Sequence, residues 1–382
     1  MQATSLSHCA VIGDASDPLT AREHAETPHA YRSAFQRDRD RVIHARAFRR
    51  LAGKTQVFTH RNSDHFRSRL THTIEVTQIA RTAAAALNLN EELVETLALV
   101  HDIGHPPFGH AGEQALDRQL QAYGLHFDHN LHALRIVEYF EQRYAGFRGL
   151  NLTLAVREGI IKHSREYSAA EFPQLAEYLL DQRPPLESQL IDFVDEIAYN
   201  TADLDDGFEA RLIDLDQLRA EVPIFNSAYE DVDRHYREAK PKLKFNESLK
   251  RVLDLLATDL IETTQTRAAE SGVATVEDIR RHPQRLAGFS PAVAKLNGDL
   301  KRFLFARLYS QPTIVEDRDR SVVALDALFS FFLDDPKRMP LQYAKLAAQH
   351  PPYRVICDYI AGMTDHFLLR QCHELLGLPA AP

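Results

Sequence analysis

Ten residues, His101-Asp102-Ile103-Gly104-His105-Pro106-Pro107-Phe108-Gly109-His110, set three imidazoles and a carboxylate among turn-forming Gly and Pro. Neutral imidazole and carboxylate together suit manganese, iron, nickel or zinc, and a divalent ion held by them makes water a nucleophile near neutral pH. Hydrolysis at a metal centre is therefore the chemistry this segment suggests. A His-Asp pair alone more often makes a hydrogen bond at a helix end, so its surroundings decide. Nine of the 19 histidines fall between His60 and His132, a concentration that packing gives no reason to produce.

A metal site needs ligands from other elements, and two residues stand out. His72 closes Arg67-Ser68-Arg69-Leu70-Thr71-His72, where two arginines precede it, the residue type that holds phosphate oxygens bidentately. Asp195 lies in an apolar helical stretch, Leu190 to Asp203, with Tyr199 and Asp203 at the i+4 and i+8 positions of the same face. A carboxylate there needs a partner, and a salt bridge or solvent exposure is the ordinary fate of a single helical Asp.

Helices must position these groups, because apolar residues recur at three and four rather than at two and Ala, Leu, Glu, Arg and Gln dominate. Thr73 to Leu87 carries Val76, Ile79, Ala80, Ala83, Ala84 and Leu87 as one stripe, and Glu91 to His101 carries Leu93, Leu97 and Val100. His72 and His101 then sit at helix ends, and the break at Asn88-Leu89-Asn90 implies an antiparallel pair that brings them together. Further helices are predicted over 113–121, 130–144, 152–163, 187–204, 245–270, 291–309, 319–334 and 354–376.

The predicted fold class is all-α: a helical bundle over residues 31–215 carrying the catalytic core and a C-terminal helical lobe over 216–382, after a loosely ordered tail at 1–30. A chain of 382 residues with 44% hydrophobic content can bury a large core, and the net charge of −9 argues against nonspecific nucleic-acid binding. Cys9, Cys357 and Cys372 are far apart and form no CxxC pair, which supports neither a disulfide framework nor a thiolate zinc site and fits a reducing cytoplasm. Met1 to Asp14 lacks an export pattern, and no run of eighteen apolar residues occurs, so no membrane partner is expected.

A His, then His-Asp, then a distant Asp in an all-helical chain resembles the HD-domain metal phosphohydrolases. The blocks Phe48 to Phe58 (FRRLAGKTQVF), Arg69 to Val76 (RLTHTIEV), 101–113 (HDIGHPPFGHAGE), 195–207 (DEIAYNTADLDDG) and Asp358 to Asp365 (DYIAGMTD) are similar to the bacterial dGTPase-like deoxynucleotide triphosphohydrolases, over about residues 35 to 370. That resemblance implies cleavage of a dNTP to deoxynucleoside and tripolyphosphate by water attack at the α phosphorus.

Carried over by position, the resemblance implies His72, His101, Asp102 and Asp195 as metal ligands, leaving coordination positions open for water and phosphate. It implies His110 as the acid–base residue, with Glu113 three residues on to orient it. His105 and His129 fall near the phosphates or in a supporting role, Arg69 on the phosphate chain, and Gln56, Tyr199 and Asp203 on the substrate, Tyr199 excluding a ribose hydroxyl by shape. The divalent ion is manganese or magnesium first, with iron, nickel and zinc also compatible. In animal members of the wider family a lysine follows the metal-binding aspartate; here that position is Glu196, so phosphate contacts must come from elsewhere, such as Arg46, Arg49, Lys54 or Arg67.

The implied partners are a dNTP substrate, a dNTP effector and further copies of the chain in a tetramer or hexamer. The run Lys240, Lys242, Lys244 suggests an interface or an effector phosphate site, although a lysine run is usually only a solvated surface. Two other readings share the ligand pattern. Other HD phosphohydrolases, such as 5′-nucleotidases and phosphodiesterases, need the same four ligands but lack the Lys54 to Phe58 and 195–207 blocks. A nucleotide sensor or single-stranded nucleic-acid-binding regulator would not need the His110 and Glu113 pair.

Overall fold

The computed structural model describes residues 5–56 and 66–378. Val57 and Phe58 of the first motif, together with His60 and His65, lie outside the described residues. The fold is all-α, and among the described residues only two isolated bridges, Thr55 with Ser68 and Gln142 with Gly149, have strand character. No helix of the described residues is long and apolar enough to cross a membrane.

Two compact units share the chain, and they interleave rather than following a division at residue 215. The first comprises Met1–Arg39, Ile74–Ala98 and Thr153–Gln311, the second Asp40–Thr73, Leu99–Leu152 and Pro312–Pro382. Three of the five boundaries fall inside the helices Ala34–His44, Arg69–Leu87 and Glu91–Val100, where periodicity gives no sign of them.

In the second unit, the Gly109–Gln121 helix packs with Pro312–Asp334, and Pro312–Asp334 with Pro352–Ala361 and Asp365–Leu376. Leu116, Leu120, Leu325, Leu328, Phe329, Phe332, Ile356, Ile360 and Leu368 fill the space between them, each worth about 1.5–3 kcal/mol on full burial. In the first unit the long Pro241–Ser271 helix packs against Pro223–His235 and Leu186–Glu209, and Phe208 stacks on Phe245 with ring centres 4.0 Å apart. Lys242 and Lys244 of the lysine run are tied to Glu209 and Asp233, each at 2.6 Å, so their charge is already matched within the unit.

The predicted single helix over 354–376 is two helices, Pro352–Ala361 and Asp365–Leu376. The break has a physical cause. The carbonyls of Ala361 and Gly362 accept from Lys54 Nζ and Arg50 Nη1 at 3.1 and 2.9 Å, and Thr364 caps the next helix by accepting from the Phe367 amide. The predicted helices at 130–144 and 291–309 each end in a π-helical turn, Ile136–Phe140 and Phe305–Tyr309. Six α-helices of the described residues fall outside the predicted spans: Ala34–His44, Arg46–Arg50, Leu215–Glu221, Pro223–His235, Val276–Arg281 and Leu341–Ala347.

Nor are residues 5–30 a loose tail. Leu6, Cys9, Val11 and Leu19 are buried, the Leu6 amide donates to Leu87 O at 3.0 Å, and Val11 N donates to Glu187 Oε1 at 2.9 Å. Irregularly spaced anchors fastened by single hydrogen bonds leave no periodic signal.

Glu187 is fully buried and also accepts from the Asn90 amide at 3.1 Å. Burial raises its pKa above the usual 4.5, against the lowering effect of these amides. The native state therefore holds the proton more tightly than the unfolded chain, so the group's contribution to stability is full at low pH and is lost as pH rises through the native pKa. Glu187→Gln keeps an acceptor and removes the titration. Its melting temperature relative to wild type is expected to improve between about pH 4 and pH 7; an offset independent of pH in calorimetry would contradict this account.

Candidate metal and phosphohydrolase site

His72 lies in the first turn of the Arg69–Leu87 helix, which begins four residues before the expected start, and His101 directly follows the Glu91–Val100 helix. Their ring centres are 5.8 Å apart. With Asp102 they present three buried ligand atoms that all lie within 4.8 Å of one another. Two imidazoles and one carboxylate make a donor set that fits a divalent ion, and this fits the metal the sequence implies.

Asp102 is held as an anion although it is buried. Burial alone would raise its pKa, but Arg69 above all, then His105 and His101, hold it well below the carboxylate range. Arg69 Nη1 donates to Oδ2 at 2.9 Å, and His105 Nδ1 stands 2.8 Å from Oδ1 though poorly aligned for a hydrogen bond. Burial, then Arg69 and His129, push the His105 pKa well below its usual value, so this ring is neutral.

Glu113 organises the other histidines. Its Oε2 pairs with His110 Nδ1 at 3.1 Å, and its Oε1 accepts from the His129 amide at 3.0 Å and meets His129 Nδ1 at 2.9 Å. Burial would raise the Glu113 pKa, but these hydrogen bonds hold it below the usual range. Ligand atoms of His105, Glu113 and His129 also lie within 4.8 Å of one another. The rings of His105 and His129, however, stack at 4.0 Å and 21°, presenting faces rather than converging lone pairs, so the group reads as an acid–base cluster. The His110 side chain is 75% exposed, which makes it the member open to a ligand.

The turn that carries these groups is shaped by absent side chains. A Cβ on Gly104 would stand 1.9 Å from His129 O, so only glycine lets the His101 turn pack on the His129 helix. Gly109, at φ +55°, would set a Cβ 2.7 Å from Arg69 Nη2. Phe108 is left-handed at φ 62°, a conformation that costs a non-glycine residue about 1–2 kcal/mol. Asp365 holds it there: its carboxylate accepts from Phe108 N at 3.0 Å and from Thr55 N at 2.8 Å. Lys54, expected from the sequence as a phosphate contact, is instead buried and donates to the carbonyls of His105 and Ala361. Burial, with Arg50 and Arg69 nearby, pushes its pKa down to about 7.

Arg69 Nε, His105 Nε2 and Gln56 Oε1 are buried polar atoms with no hydrogen-bond partner among the described residues. Such atoms are uncommon in folded proteins and each calls for a reason. All three belong to the unit that also holds the metal donor set.

Asp195, Tyr199 and Asp203 lie on the Leu186–Glu209 helix of the first unit, as the sequence predicts. Asp195 Oδ2 is 4.0 Å from His163 Nε2, and His163 Nδ1 is 2.7 Å from Asp192. Burial, then Glu196, Asp195 and Asp203, raise the Tyr199 pKa, so it stays a neutral phenol. Glu196 accepts from Asn297 Nδ2 at 2.6 Å and pairs with Lys301 at 3.1 Å. Sequence reasoning singled out neither Asp365 as an anchor nor Tyr309, which donates to Asp203. The ending Asp358 to Asp365 was visible as a block similar to relatives, but its partners are far away in the chain.

Residues 69–200 match the HD domain family, and residues 287–374 match the phosphohydrolase-associated domain family. A Bordetella pertussis protein described as deoxyguanosinetriphosphate triphosphohydrolase-like is 45% identical over 370 residues, covering 95% of this chain and 96% of its own length. The chain belongs to this family. A Thiobacillus denitrificans member is 44% identical with the same coverage, and a Geobacter sulfurreducens member 42% identical over 93% of this chain and 91% of its own. As a member of this family with an HD domain, the chain is a metal-dependent hydrolase of phosphoester bonds.

Two substitutions test the scaffold of this family member. Asp365→Ala leaves two buried amides without an acceptor, at about 1–3 kcal/mol each, and is expected to lower the denaturation midpoint clearly; an unchanged midpoint would remove Asp365 from the account. Gly109→Ala must displace Arg69 and is expected to cut turnover at least tenfold while circular dichroism stays native. Full activity in that variant would show that the approach of Arg69 to Gly109 is not required.

Proposed function

We propose that the chain hydrolyses deoxynucleoside triphosphates to deoxynucleoside and tripolyphosphate. The observation that carries this reading is the pairing of a buried two-imidazole, one-carboxylate donor set with the His110–Glu113 dyad in one unit. The names of the relatives supply the nucleotide.

In this reading His72, His101 and Asp102, joined by Asp195, hold one divalent ion, manganese or magnesium. When bound, that ion supplies a Lewis acid for the α phosphate and acidifies water. Arg69 keeps Asp102 ionised and turns its remaining donors to phosphate oxygens. His105 and His129 face the growing negative charge as neutral or donating rings. The 5′ oxygen is a poor leaving group, and His110 as the imidazolium protonates it from Nε2–H, with Glu113 holding the ring by accepting from Nδ1–H. Gln56, Tyr199 and Asp203 take the sugar end, Tyr199 closing the space beside C2′.

The test is product analysis with manganese or magnesium, each dNTP alone and all four together. Tripolyphosphate and deoxynucleoside in equal amounts are expected. His101→Ala is expected to abolish them and to weaken metal binding in calorimetry, and His110→Ala to lower kcat by about 10²–10⁴ with dNTP binding retained. Pyrophosphate or monophosphate as the released product would overturn the reading. Activity confined to the mixture would reveal a dNTP effector.

A further inference from the structure

Between His105 and Phe108 the main chain offers no donor, because Pro106 and Pro107 carry no N–H. That stretch of the turn is held instead at its two ends, by side chains from elsewhere in the second unit. The His105 carbonyl accepts from Lys54 Nζ, and the Phe108 amide donates to Asp365 Oδ1 at 3.0 Å. The two anchors are joined to each other. Lys54 Nζ also donates to Ala361 O at 3.1 Å, the Thr55 amide donates to Asp365 Oδ2 at 2.8 Å, and a Cβ on Gly53 would stand 2.9 Å from Thr364 Cγ2. Through its main chain Lys54 reaches further, since its carbonyl accepts from the Arg69 amide at 3.1 Å. One residue thus touches the turn, the start of the helix that bears His72 and the C-terminal segment.

A buried lysine is a costly way to satisfy two carbonyls. Lys54 is 2% exposed, and burial, with Arg50 and Arg69 nearby, works against its charge. The amine keeps two protons when uncharged, one for each carbonyl, so its hold survives the loss of the charge. What it holds is the link between the two halves of the donor cluster. His105 Nδ1 stands 2.8 Å from Asp102 Oδ1, its ring stacks on His129 at 4.0 Å, and the His110 ring lies 5.5 Å away. His105 is therefore the ring that meets the metal donor set on one side and the acid–base cluster on the other. Displacing a group in such a position by about 1 Å can cost about 10²-fold in rate.

We infer that Lys54 is a positioning residue for the reaction: by holding the His105 carbonyl it sets where the His105 ring stands between Asp102 and His129. Both of its side-chain hydrogen bonds go to main-chain carbonyls, so its effect runs through the turn and not through contact with phosphate. Only the kinetic half of the test below rests on the proposed dNTP reading. The geometric half asks about the ring itself.

The experiment uses the full-length protein carrying ¹³C at histidine Cε1, with His105→Ala and His129→Ala to assign those two resonances. Lys54→Met, which keeps a flexible chain and removes its donors, is expected to shift both resonances as the stacked geometry is lost and to leave that of His163, in the first unit, in place. In kinetics with a dNTP, Lys54→Met is expected to lower kcat about tenfold or more with KM within about twofold, and to lower it less than about twofold when His105 is already alanine. An unmoved His105 resonance, or an equal loss of kcat in the two backgrounds, overturns the inference. Lys54→Gln keeps two N–H donors without charge on a chain one atom shorter; it is expected to show the same effects at smaller size, and it carries both comparisons if Lys54→Met does not fold. Wild-type protein that turns over no dNTP overturns the proposed hydrolysis alone, and the resonances still decide the role of Lys54.

Discussion

A carboxylate that must stay ionised out of reach of water is the constraint on which the second unit is built. Asp102 is 4% exposed, and an anion so placed is tolerated only with charged and hydrogen-bonding partners. Arg69 meets it at 2.9 Å and is itself buried, so the helix that begins at Arg69 is drawn onto the His101-Asp102 turn and brings His72 with it. The guanidinium needs the space that Gly109 leaves, and Gly109 needs the left-handed Phe108 before it. Phe108 in turn needs Asp365. Each step fixes a backbone position whose reason lies in the preceding one.

The acidic groups of the first unit obey the same physics with different partners. Asp192 meets His163 and Arg285, Glu196 meets Asn297 and Lys301, and Asp203 meets Tyr309. A helix bearing several carboxylates within a few turns would repel itself if they were unmatched. Matching them one by one makes its rotation single-valued, which leaves Asp195 and Tyr199 on a defined face.

Burial also sorts the cations. Lys54, Lys242 and Lys244 are basic residues of the kind that sequence reading offers to phosphate, yet each is engaged within its own unit, Lys54 on backbone carbonyls and the other two on acids. Arg69 differs because it keeps a buried donor, Nε, with no partner among the described residues. The distinction between a structural and a ligand-facing cation rests on hydrogen-bond bookkeeping that composition does not contain.

The helical class, the pairing of His72 with His101 and the metal-type donor set were legible in the sequence because each rests on local signals: a 3.6-residue period, turn residues and a dense motif. Long helices such as Arg69–Leu87 and Leu186–Glu209 were found for that reason, with ends shifted by a few residues where caps and tertiary contacts decide. Other features depend on partners far along the chain: the break after Ala361 through Lys54 and Arg50, the Thr55–Asp365 contact across 310 residues, and the Tyr309–Asp203 contact across 106. No periodicity spans such distances. The sequence by itself determined which chemical groups the protein brings to its site and the helices that carry them. Only the tertiary structure decided which atoms meet, because a hydrogen bond is selective within a few tenths of an ångström, whereas a sequence pattern places a side chain only to within a helix face.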